Sequence, residues 1–242
     1  MGKTIVLISS KGGSGKSTIT IGLATALSRA GKSVLLIDAD EGARCLDTML
    51  SVNVETVFDI SDVVCGNCVV DDAIIKVPSL NNVFVIPSPL RATPLDLTAL
   101  GELTESMNKI YDYVIVDTKG QLSSDIVSKI GSSAQYIAVV STDKIAIRNT
   151  GILCSELYRL GINCRLIINR FRTHEMDGTL NNVDNIVDES CARLIGIVPE
   201  DAKVTISANR PLVLGTAAAA IFRIASRIDG NNVSLVKIKK II

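Results

Sequence analysis

Tryptophan is absent from this 242-residue chain, and aromatic residues make up only 3% of it. Because 47% of the residues are hydrophobic, the core must be built from aliphatic side chains, and the length suits one α/β domain of ordinary size. The formal net charge is zero, since the 25 Lys and Arg residues are balanced by 25 Asp and Glu residues. Whole-molecule electrostatics therefore give no reason to expect a nucleic-acid partner.

Residues and segments that characterise several other classes of protein are rare or absent in this sequence. The single histidine, His174, lies in a polar segment and is assigned no role. Six cysteines spread over the chain do not form the framework of a small secreted disulfide protein. The longest weakly polar stretch, Leu212 to Phe222, is too short to span a bilayer. Because Met1 to Thr4 lead directly into an apolar run, we expect no signal peptide and a cytoplasmic protein.

Apolar runs alternate with helical segments along the chain. Most of these runs are continuous, which is typical of parallel strands covered on both faces. The pattern predicts a doubly wound α/β fold, with a mostly parallel sheet, helices on both faces and ligands at the carboxyl ends of the strands. The predicted strands are Ile5–Ile8, Val34–Ile37, Val83–Ile86, Tyr113–Val116, Ile137–Val140, Leu166–Ile168 and Leu194–Val198. The predicted helices are Ser17–Ala30, Leu95–Lys109, Asn149–Leu160 and Gly215–Ile228, and Thr173 to Asn185 are predicted to form a surface loop.

Residues 10–17 read Ser-Lys-Gly-Gly-Ser-Gly-Lys-Ser, between the first strand and the first helix. This context predicts a phosphate-binding loop, in which the glycines bring backbone N–H groups close to phosphate oxygens. Lys16 is predicted to neutralise the β- and γ-phosphates, and the Ser17 hydroxyl to bind Mg²⁺. The nucleotide-binding residues predicted in this segment are Lys11, Gly12, Gly13, Ser14, Gly15, Lys16, Ser17 and Thr18.

The loop also departs from the usual phosphate-binding pattern. Ser10 occupies the position of the usual first glycine, and a second lysine, Lys11, follows it. The pattern Lys-Gly-Gly-x-Gly-Lys-Ser/Thr resembles the deviant Walker A family of ATPases that includes MinD and ParA. The resemblance implies ATP and Mg²⁺ as cofactors, and implies that Lys11 and Lys16 act in catalysis, with Lys11 reaching the partner's nucleotide in a homodimer. The alternative is that Lys11 is a solvated residue that only raises the local positive potential.

Two further carboxylate motifs follow predicted strands. Asp38 and Asp40 come directly after the second strand, where a carboxylate can orient a water or hold metal-bound water. The resemblance assigns catalytic positioning of water to Asp38 and a place near the metal to Asp40, and residues 38–47 resemble the MinD form of this segment. The alternative is a pair of carboxylates that cap a loop.

The third motif, Tyr113 to Asp117, is an apolar strand that ends in a carboxylate. It has the Walker B arrangement, which predicts that Asp117 contacts Mg²⁺ through water. The family continues with Ser/Thr-Pro-Ala-Gly, whereas this chain has Thr118-Lys119-Gly120-Gln121. Because this loop senses the γ-phosphate in the family, we expect slow hydrolysis without an activating partner. Lys119 is predicted to point to solvent, and the alternative is that it adds a charge contact to phosphate.

Base recognition is predicted after two late strands. The resemblance implies that adenine is read by Asn169 and Arg170 and by the loop containing Pro199 and Asp201. An asparagine amide can pair with an adenine edge as both donor and acceptor. The alternative is that these residues are only polar strand ends.

Cys65 and Cys68 have the spacing of thiolate ligands, but one pair cannot close a tetrahedral metal site. A second pair from a dimer partner could close it, as in the nitrogenase iron protein. The cysteines of that protein lie elsewhere relative to the phosphate loop. We therefore interpret this pair as incidental cysteines at a helix end.

The carboxyl terminus has the pattern of an amphipathic helix. Lys237 and Lys240 lie opposite an apolar face that comprises Leu235, Ile238, Ile241 and Ile242. The family's MinD-like members end in a short helix that binds anionic membrane lipid, so we predict an ATPase domain over residues 1–230 and a membrane-targeting tail over residues 231–242. The alternative is a terminal edge strand or a frayed end.

These patterns together predict a MinD-like ATPase. It would dimerise on binding ATP, associate reversibly with the inner face of the cell membrane, and leave the membrane on hydrolysis. The resemblance implies a role in division-site placement or related positioning, with an activating or topology-specifying protein partner. The alternatives are a ParA-type DNA partition ATPase and a metal-cluster or metallochaperone ATPase.

Overall fold

The computed structural model describes residues 2–91, 94–120, 129–172, 183–207, 210–213 and 215–235. Within these ranges, eight strands form one sheet in the order β3-β4-β2-β5-β1-β6-β7-β8. The strands are β1 Lys3–Ile8, β2 Val34–Ala39, β3 Ile75–Lys76, β4 Val83–Ile86, β5 Tyr113–Thr118, β6 Gln135–Val140, β7 Arg165–Phe171 and β8 Arg193–Pro199. A separate antiparallel hairpin pairs β9, Thr205–Ser207, with β10, Arg210–Val213.

Helices cover both faces of the large sheet. Their bounds are α1 Lys16–Arg29, α2 Leu46–Met49, α3 Ile60–Val64, α4 Val70–Ala73, α5 Leu97–Met107, α6 Lys144–Arg159, α7 Val183–Ser190 and α8 Ala217–Asp229, with a 3₁₀ turn at Asn53–Glu55. Among the described residues, no helix combines the length and the apolar composition needed to cross a membrane.

Successive residues of the central strands enter two different cores. On β1, Val6 and Ile8 pack in a core that also contains residues of α3, α5, α6 and α7. Ile5 and Leu7 pack on the other side, with residues of α1, α2 and α8. All four side chains are fully buried, because a strand alternates its side chains between the two faces of the sheet. The predicted doubly wound fold is therefore confirmed.

All neighbouring strands of the large sheet pair in parallel except β3 and β4. β3 and the β9–β10 hairpin were not predicted, because their two to four residues per strand do not form a long apolar run. The seven predicted strands are all present, and most extend one to three residues further than predicted.

Two helices begin away from the predicted residue because a side chain caps them. The Asp143 carboxylate accepts a hydrogen bond from the Ala146 N–H, and α6 begins at Lys144 rather than at the predicted Asn149. Asp96 caps α5 in the same way, which places the start of that helix at Leu97. The predicted loop from Thr173 to Asn185 is wrong for its last three residues, which begin α7. Residues 173–182 of that loop lie outside the described residues.

The strand order brings the three motifs to one edge of the sheet. β5 lies between β1 and β2, so that the phosphate loop and both carboxylate motifs leave adjacent strands at their carboxyl ends. Asp117 is the register partner of Leu7 on one side and of Asp38 on the other. Residues far apart in the sequence thereby form one site.

Candidate functional site

The loop after β1 has the backbone conformation that cradles phosphate. Gly13 and Gly15 have φ angles of 77° and 88°, which favour glycine. Gly15 occupies the N-cap of α1, and no side chain caps this helix. The first N–H groups of α1 therefore remain available to an anion at the positive end of the helix dipole.

Side chains from two other elements hold this loop in place. The Ser10 hydroxyl donates to the Ala146 carbonyl at 3.0 Å and lies 3.0 Å from Thr150 Oγ1, so that it ties the loop to α6. On the other side, the buried Asn169 Nδ2 donates to the Ser14 carbonyl at 2.8 Å. The serine at the usual glycine position is therefore an anchor of the loop.

Asp117 is fully buried at the end of β5, and neither of its carboxylate oxygens has a hydrogen-bond partner of normal geometry. Burial raises its pKa to about 6, while the facing Ser17 hydroxyl and the Lys16 ammonium act in the opposite direction. Mg²⁺ prefers oxygen ligands and binds through one or two carboxylates plus phosphates and waters. The orphaned oxygens of Asp117 beside the Ser17 hydroxyl fit that requirement.

Asp38 lies beside Asp117 and is also fully buried. Its oxygens accept from the backbone N–H groups of Asp40, at 3.1 Å, and of Leu46, at 3.0 Å. Burial and the charge of Asp117 raise its pKa to about 7, against the effect of these two hydrogen bonds. Asp38 thus has a fixed orientation and a pKa suited to accepting a proton or orienting a water near neutral pH.

Lys16 is the only buried lysine among the described side chains, with 6% of its surface exposed. Its charge lowers the pKa of both Asp117 and Asp40, although burial raises the pKa of each carboxyl above its usual value. The structure therefore places Lys16 within electrostatic range of both Asp40 and Asp117. One buried cation cannot neutralise Asp38, Asp40 and Asp117 when all three are ionised, so that their charged forms leave an excess of negative charge at this edge of the sheet.

The residues after Asp117 contact the phosphate loop and the second motif. Thr118 Oγ1 donates to the Leu7 carbonyl at 2.7 Å, which ties β5 to β1. Lys119 was predicted to point to solvent. Half of its side chain is exposed, but its ammonium lies 3.5 Å from Glu41 Oε2 and forms an ion pair. Gln121, which stands where the family has glycine, belongs to residues 121–128 and lies outside the described residues.

Lys11 lies at the rim of the site, with 55% of its side chain exposed. Its ammonium is 3.6 Å from Asp143 Oδ1, at the amino end of α6. An ion pair this exposed contributes little to stability. Lys11 is therefore free to exchange Asp143 for another anion without disturbing the fold.

The residues predicted to read the base surround a hollow of about 250 Å³ next to the loop. Its lining includes Gly15, Thr18, Asn169, Arg170, Pro199 and Asp201. Asp201 also has a structural role, because its carboxylate accepts from Thr216 Oγ1 at 2.7 Å and from the Lys203 N–H at 2.8 Å. The Thr216 and Lys203 hydrogen bonds lower its pKa to about 2. The Asn169 amide nitrogen bonds the loop, which connects the hollow to the phosphate site.

Cys65 and Cys68 lie between α3 and α4. Cys65 directly follows α3 and is exposed, and Cys68 is partly buried. Burial and nearby carboxylates, Asp62 first, raise the pKa of the Cys68 thiol, which disfavours the thiolate that metals require. Within the described part of the chain, no three His, Cys, Asp or Glu residues are grouped to hold a metal ion.

Three residues of the site were missed by the sequence analysis. Asp143 pairs with Lys11, Glu41 pairs with Lys119, and the Thr20 hydroxyl faces Asp117. Asp143 carried a signal, since an aspartate before a helical segment is a typical N-cap. Thr20 lies one helical turn after Lys16, on the same face of α1, which also could have been noticed.

The close approach of Gly120 to the phosphate loop makes a testable prediction. A Cβ at this position would lie 2.8 Å from the Gly12 nitrogen and 3.1 Å from its Cα. Gly120→Ala is therefore expected to push the loop aside and weaken ATP binding by about tenfold or more, since overpacking typically costs 1–3 kcal/mol. Titration with a fluorescent ATP analogue measures this. The control Lys119→Ala, which removes only a half-exposed ion pair, should change affinity little, and equal affinities for both variants would contradict the prediction.

Comparison with known proteins agrees with this geometry. A protein family described as an AAA domain matches residues 2–165. The septum site-determining protein MinD of Synechocystis sp. is 32% identical over 243 residues, which cover 96% of this chain and 91% of that protein. One chain of the MinC:MinD cell division protein complex of Aquifex aeolicus superimposes on this chain with a TM-score of 0.84 at 31% identity. The match covers 98% of this chain and 99% of the Aquifex chain.

A second solved structure, the septum site-determining protein MinD of Pyrococcus horikoshii complexed with Mg-ADP, has a TM-score of 0.79 at 25% identity. It covers 95% of this chain and 97% of that chain. Similarity therefore extends over nearly the whole length of both proteins. The chain carries the AAA domain and belongs to the MinD-like ATPases of the ParA family.

Proposed function

We propose that the chain hydrolyses ATP as a nucleotide-dependent homodimer and acts in division-site placement at an anionic membrane. The observation that carries the proposal is the pairing of an anchored phosphate loop with the orphaned carboxylate of Asp117. An unpartnered buried carboxylate is unfavourable in the free protein, and Mg²⁺ with the nucleotide phosphates would relieve it.

ATP is proposed to lie across the loop, with its phosphates on the N–H groups of residues 12–18 and its base in the hollow beside Asn169. Ser17, Asp40 and Asp117 would hold Mg²⁺, which supplies charge neutralisation at the phosphates when bound. Lys16 would neutralise the β- and γ-phosphates from its buried position. Asp38 would orient the attacking water, since it is fixed by two backbone N–H groups.

Dimerisation is proposed to place Lys11 on the partner's nucleotide. Its exposure at the rim supports this role, because a lysine that only held the loop would not need to point outward. Lys119 lies in the loop that follows Asp117 and forms an ion pair with Glu41, which follows β2. We expect this pair to be rearranged in the active dimer, and unstimulated hydrolysis to be slow.

The partner is proposed to be a protein that recognises the ATP-bound dimer. The MinD of Aquifex aeolicus forms a complex with MinC, and its chain superimposes on nearly all of this one. A MinC-type protein is therefore the first candidate for this chain. A separate activating protein would set the hydrolysis rate and the lifetime of the dimer on the membrane.

Residues 1–230 are proposed as the ATPase domain and residues 231–242 as a membrane-targeting tail. α8 ends at Asp229, and Gly230 stops it with a φ angle of 106°. Residues 231–235 follow without helix or strand, so the amphipathic helix predicted over residues 233–242 is wrong for its first three residues, which include Leu235, and its remainder, residues 236–242, lies outside the described residues. The composition of that segment, with Ile238, Ile241 and Ile242 beside Lys237 and Lys240, supports the proposal.

Truncation after Leu235 is expected to abolish binding to anionic vesicles while ATP binding is retained. The truncated residues include the lysines and isoleucines of the predicted helix, whereas the nucleotide site lies at the carboxyl ends of the strands. Sedimentation with phosphatidylglycerol vesicles in ATP and in ADP measures the loss. In the full-length protein, ATP should give stronger binding than ADP, because only a dimer presents two tails.

Ile238→Glu should reproduce most of the loss of vesicle binding that truncation causes, because it places a carboxylate within the apolar face of the predicted helix. Ile110→Glu, at an exposed isoleucine of the domain, is the matched control and should bind normally. Full-length protein that ignores anionic vesicles in ATP would refute the membrane part of the proposal. ATP-dependent binding of DNA, without binding to vesicles, would instead favour a partition ATPase.

A further inference from the structure

A buried ion pair lies in the segment that follows Asp38 and Asp40. Arg44 Nε donates to Asp47 Oδ2 at 2.7 Å, and the Asp47 side chain is fully buried while that of Arg44 is 14% exposed. The Asp47 carboxylate also accepts from the Thr48 N–H at 2.7 Å. Taking two charges out of water is costly, and apolar residues in place of a buried pair are often as stable or more stable. The stability of the fold alone therefore does not account for this pair.

The backbone at Arg44 has an unfavourable conformation. Its φ angle is 41°, in the left-handed region that residues with a Cβ rarely adopt. Such a conformation persists only where surrounding contacts hold it, and it occurs most often at functional sites. The ion pair with Asp47 is one of these contacts, and a hydrogen bond from Thr48 Oγ1 to the Arg44 carbonyl, at 3.4 Å, is another.

The ion pair spans the residue that holds Asp38. Leu46 lies between Arg44 and Asp47 in the sequence, and its N–H donates to Asp38 Oδ2 at 3.0 Å. The Leu46 side chain is fully buried in the core that contains α1. The turn over residues 44–47 is thus closed by the ion pair and fixed to the core by Leu46. The direction of the Leu46 N–H follows from this closed turn.

The hydrogen bond from Leu46 determines the plane of the Asp38 carboxylate. The other donor to Asp38 is the Asp40 N–H, which is two residues away and contacts Oδ1. That local contact fixes only one of the two oxygens. A second donor on Oδ2 is needed to fix the rotation of the group, and Leu46 supplies it.

We propose that Arg44 and Asp47 are positioning residues for ATP hydrolysis. Their ion pair sets the direction of the Leu46 N–H and thereby the orientation in which Asp38 meets the attacking water. This inference rests on the role of Asp38 in the proposed function. Because the pair acts through Asp38, it should affect the chemical step and leave nucleotide binding intact.

Single-turnover hydrolysis of radiolabelled ATP by Arg44→Gln tests the inference. Its rate constant is expected to fall by about tenfold or more, since misplacing a group by about 1 Å can cost about 100-fold. The affinity for a fluorescent ATP analogue should stay within about twofold, because binding does not use Asp38. Arg44→Lys, which can still donate to Asp47, should recover most of the rate. Thr56→Val removes only the 3.3 Å hydrogen bond from Thr56 Oγ1 to Asp47, and should lower the rate in the same direction but by less.

A double-mutant cycle shows whether the effect passes through Asp38. In an Asp38→Asn protein, Arg44→Gln should lower the rate no further, because the carboxylate that it positions is already gone. The rescue by Arg44→Lys decides where the residual rate of Asp38→Asn is too low to measure.

Lys32→Gln is the matched control. Lys32 pairs with Asp229 at 3.2 Å at the amino ends of the strands, so its loss removes an ion pair far from Asp38 and should leave the rate unchanged. Urea titration checks that each variant is folded. A normal rate in Arg44→Gln, a loss of ATP binding by the folded variant, or a further loss in the Asp38→Asn background would overturn this inference alone. A normal rate in Asp38→Asn, or no hydrolysis by the unmodified protein, would overturn the proposed function and this inference together.

Discussion

In the Lys11→Ala protein, ATP is expected to bind without producing a dimer. Lys11 is exposed at the rim of the site and contributes only a loose ion pair to the fold. If it reaches the partner's phosphates, its removal leaves buried negative charge unpaired across the interface, a loss of 2–5 kcal/mol or more in comparable interfaces. Dimerisation should weaken by about 100-fold or more. Light scattering after size-exclusion chromatography, with a non-hydrolysable ATP analogue, measures the association.

Asp143→Asn is the matched control for Lys11→Ala. It removes the partner of Lys11 within the same subunit, while asparagine still caps α6. Dimerisation of this variant should change by no more than about fivefold, as expected for an exposed pair. Normal dimers of Lys11→Ala would show that the lysine is a solvated loop residue. A loss of dimers in both variants would instead indicate that the pair itself holds the loop.

Asp117→Asn is expected to stabilise the nucleotide-free protein at pH 8 and to remove its response to Mg-ATP. Burial raises the pKa of Asp117 to about 6, and that of Asp38 to about 7, with the charge of Asp117 as a further cause for Asp38. Because the folded pKa values lie above the usual value of 3.8, the protonated carboxyls favour folding below about pH 4. This stabilisation is lost as the pH rises through about 6 and 7.

At pH 8 both carboxylates are charged in the empty site, at a cost on the order of a few kcal/mol. Asparagine at position 117 removes one charge and lowers the pKa of Asp38. The free energy of unfolding, from urea titrations at pH 5.5 and pH 8, should therefore fall with pH in the unmodified protein and much less in the variant. Asp96→Asn, at the exposed cap of α5, should behave as the unmodified protein. A variant no more stable at pH 8, or one that Mg-ATP still stabilises fully, would contradict the assignment of Asp117.

The parts of the site that are formed by residues adjacent in the sequence could be predicted from the sequence. The loop from Lys11 to Thr18 carries its own glycines, lysines and hydroxyls, so its structure follows from adjacent residues. The strands before Asp38 and Asp117 are continuous apolar runs, which made both carboxylates recognisable as strand ends. Their direct juxtaposition was not predictable, because it depends on β5 lying between β1 and β2.

Contacts between distant segments account for most of what was missed. The Ser10–Thr150 contact joins residues 140 apart in sequence, and no local pattern indicates it. Lys119 was predicted to face solvent, whereas its ammonium pairs with Glu41, which comes from a different loop at the same edge. The β9–β10 hairpin and β3 are too short to show periodicity. Spacing along the chain identifies motifs, but the strand order decides which of them meet.

The anchoring of the phosphate loop has a consequence for selectivity between nucleotides. Ser10 and Asn169 hold the loop by hydrogen bonds, and Gly120 lies close against it. The conformational entropy of ordering the loop is therefore lost during folding and not during binding, so the isolated subunit is preorganised for any nucleotide with a β-phosphate. Discrimination between ATP and ADP must then come from groups that meet the γ-phosphate alone. If Lys11 reaches the nucleotide of a second subunit as proposed, sensing the γ-phosphate and finding a partner become a single event.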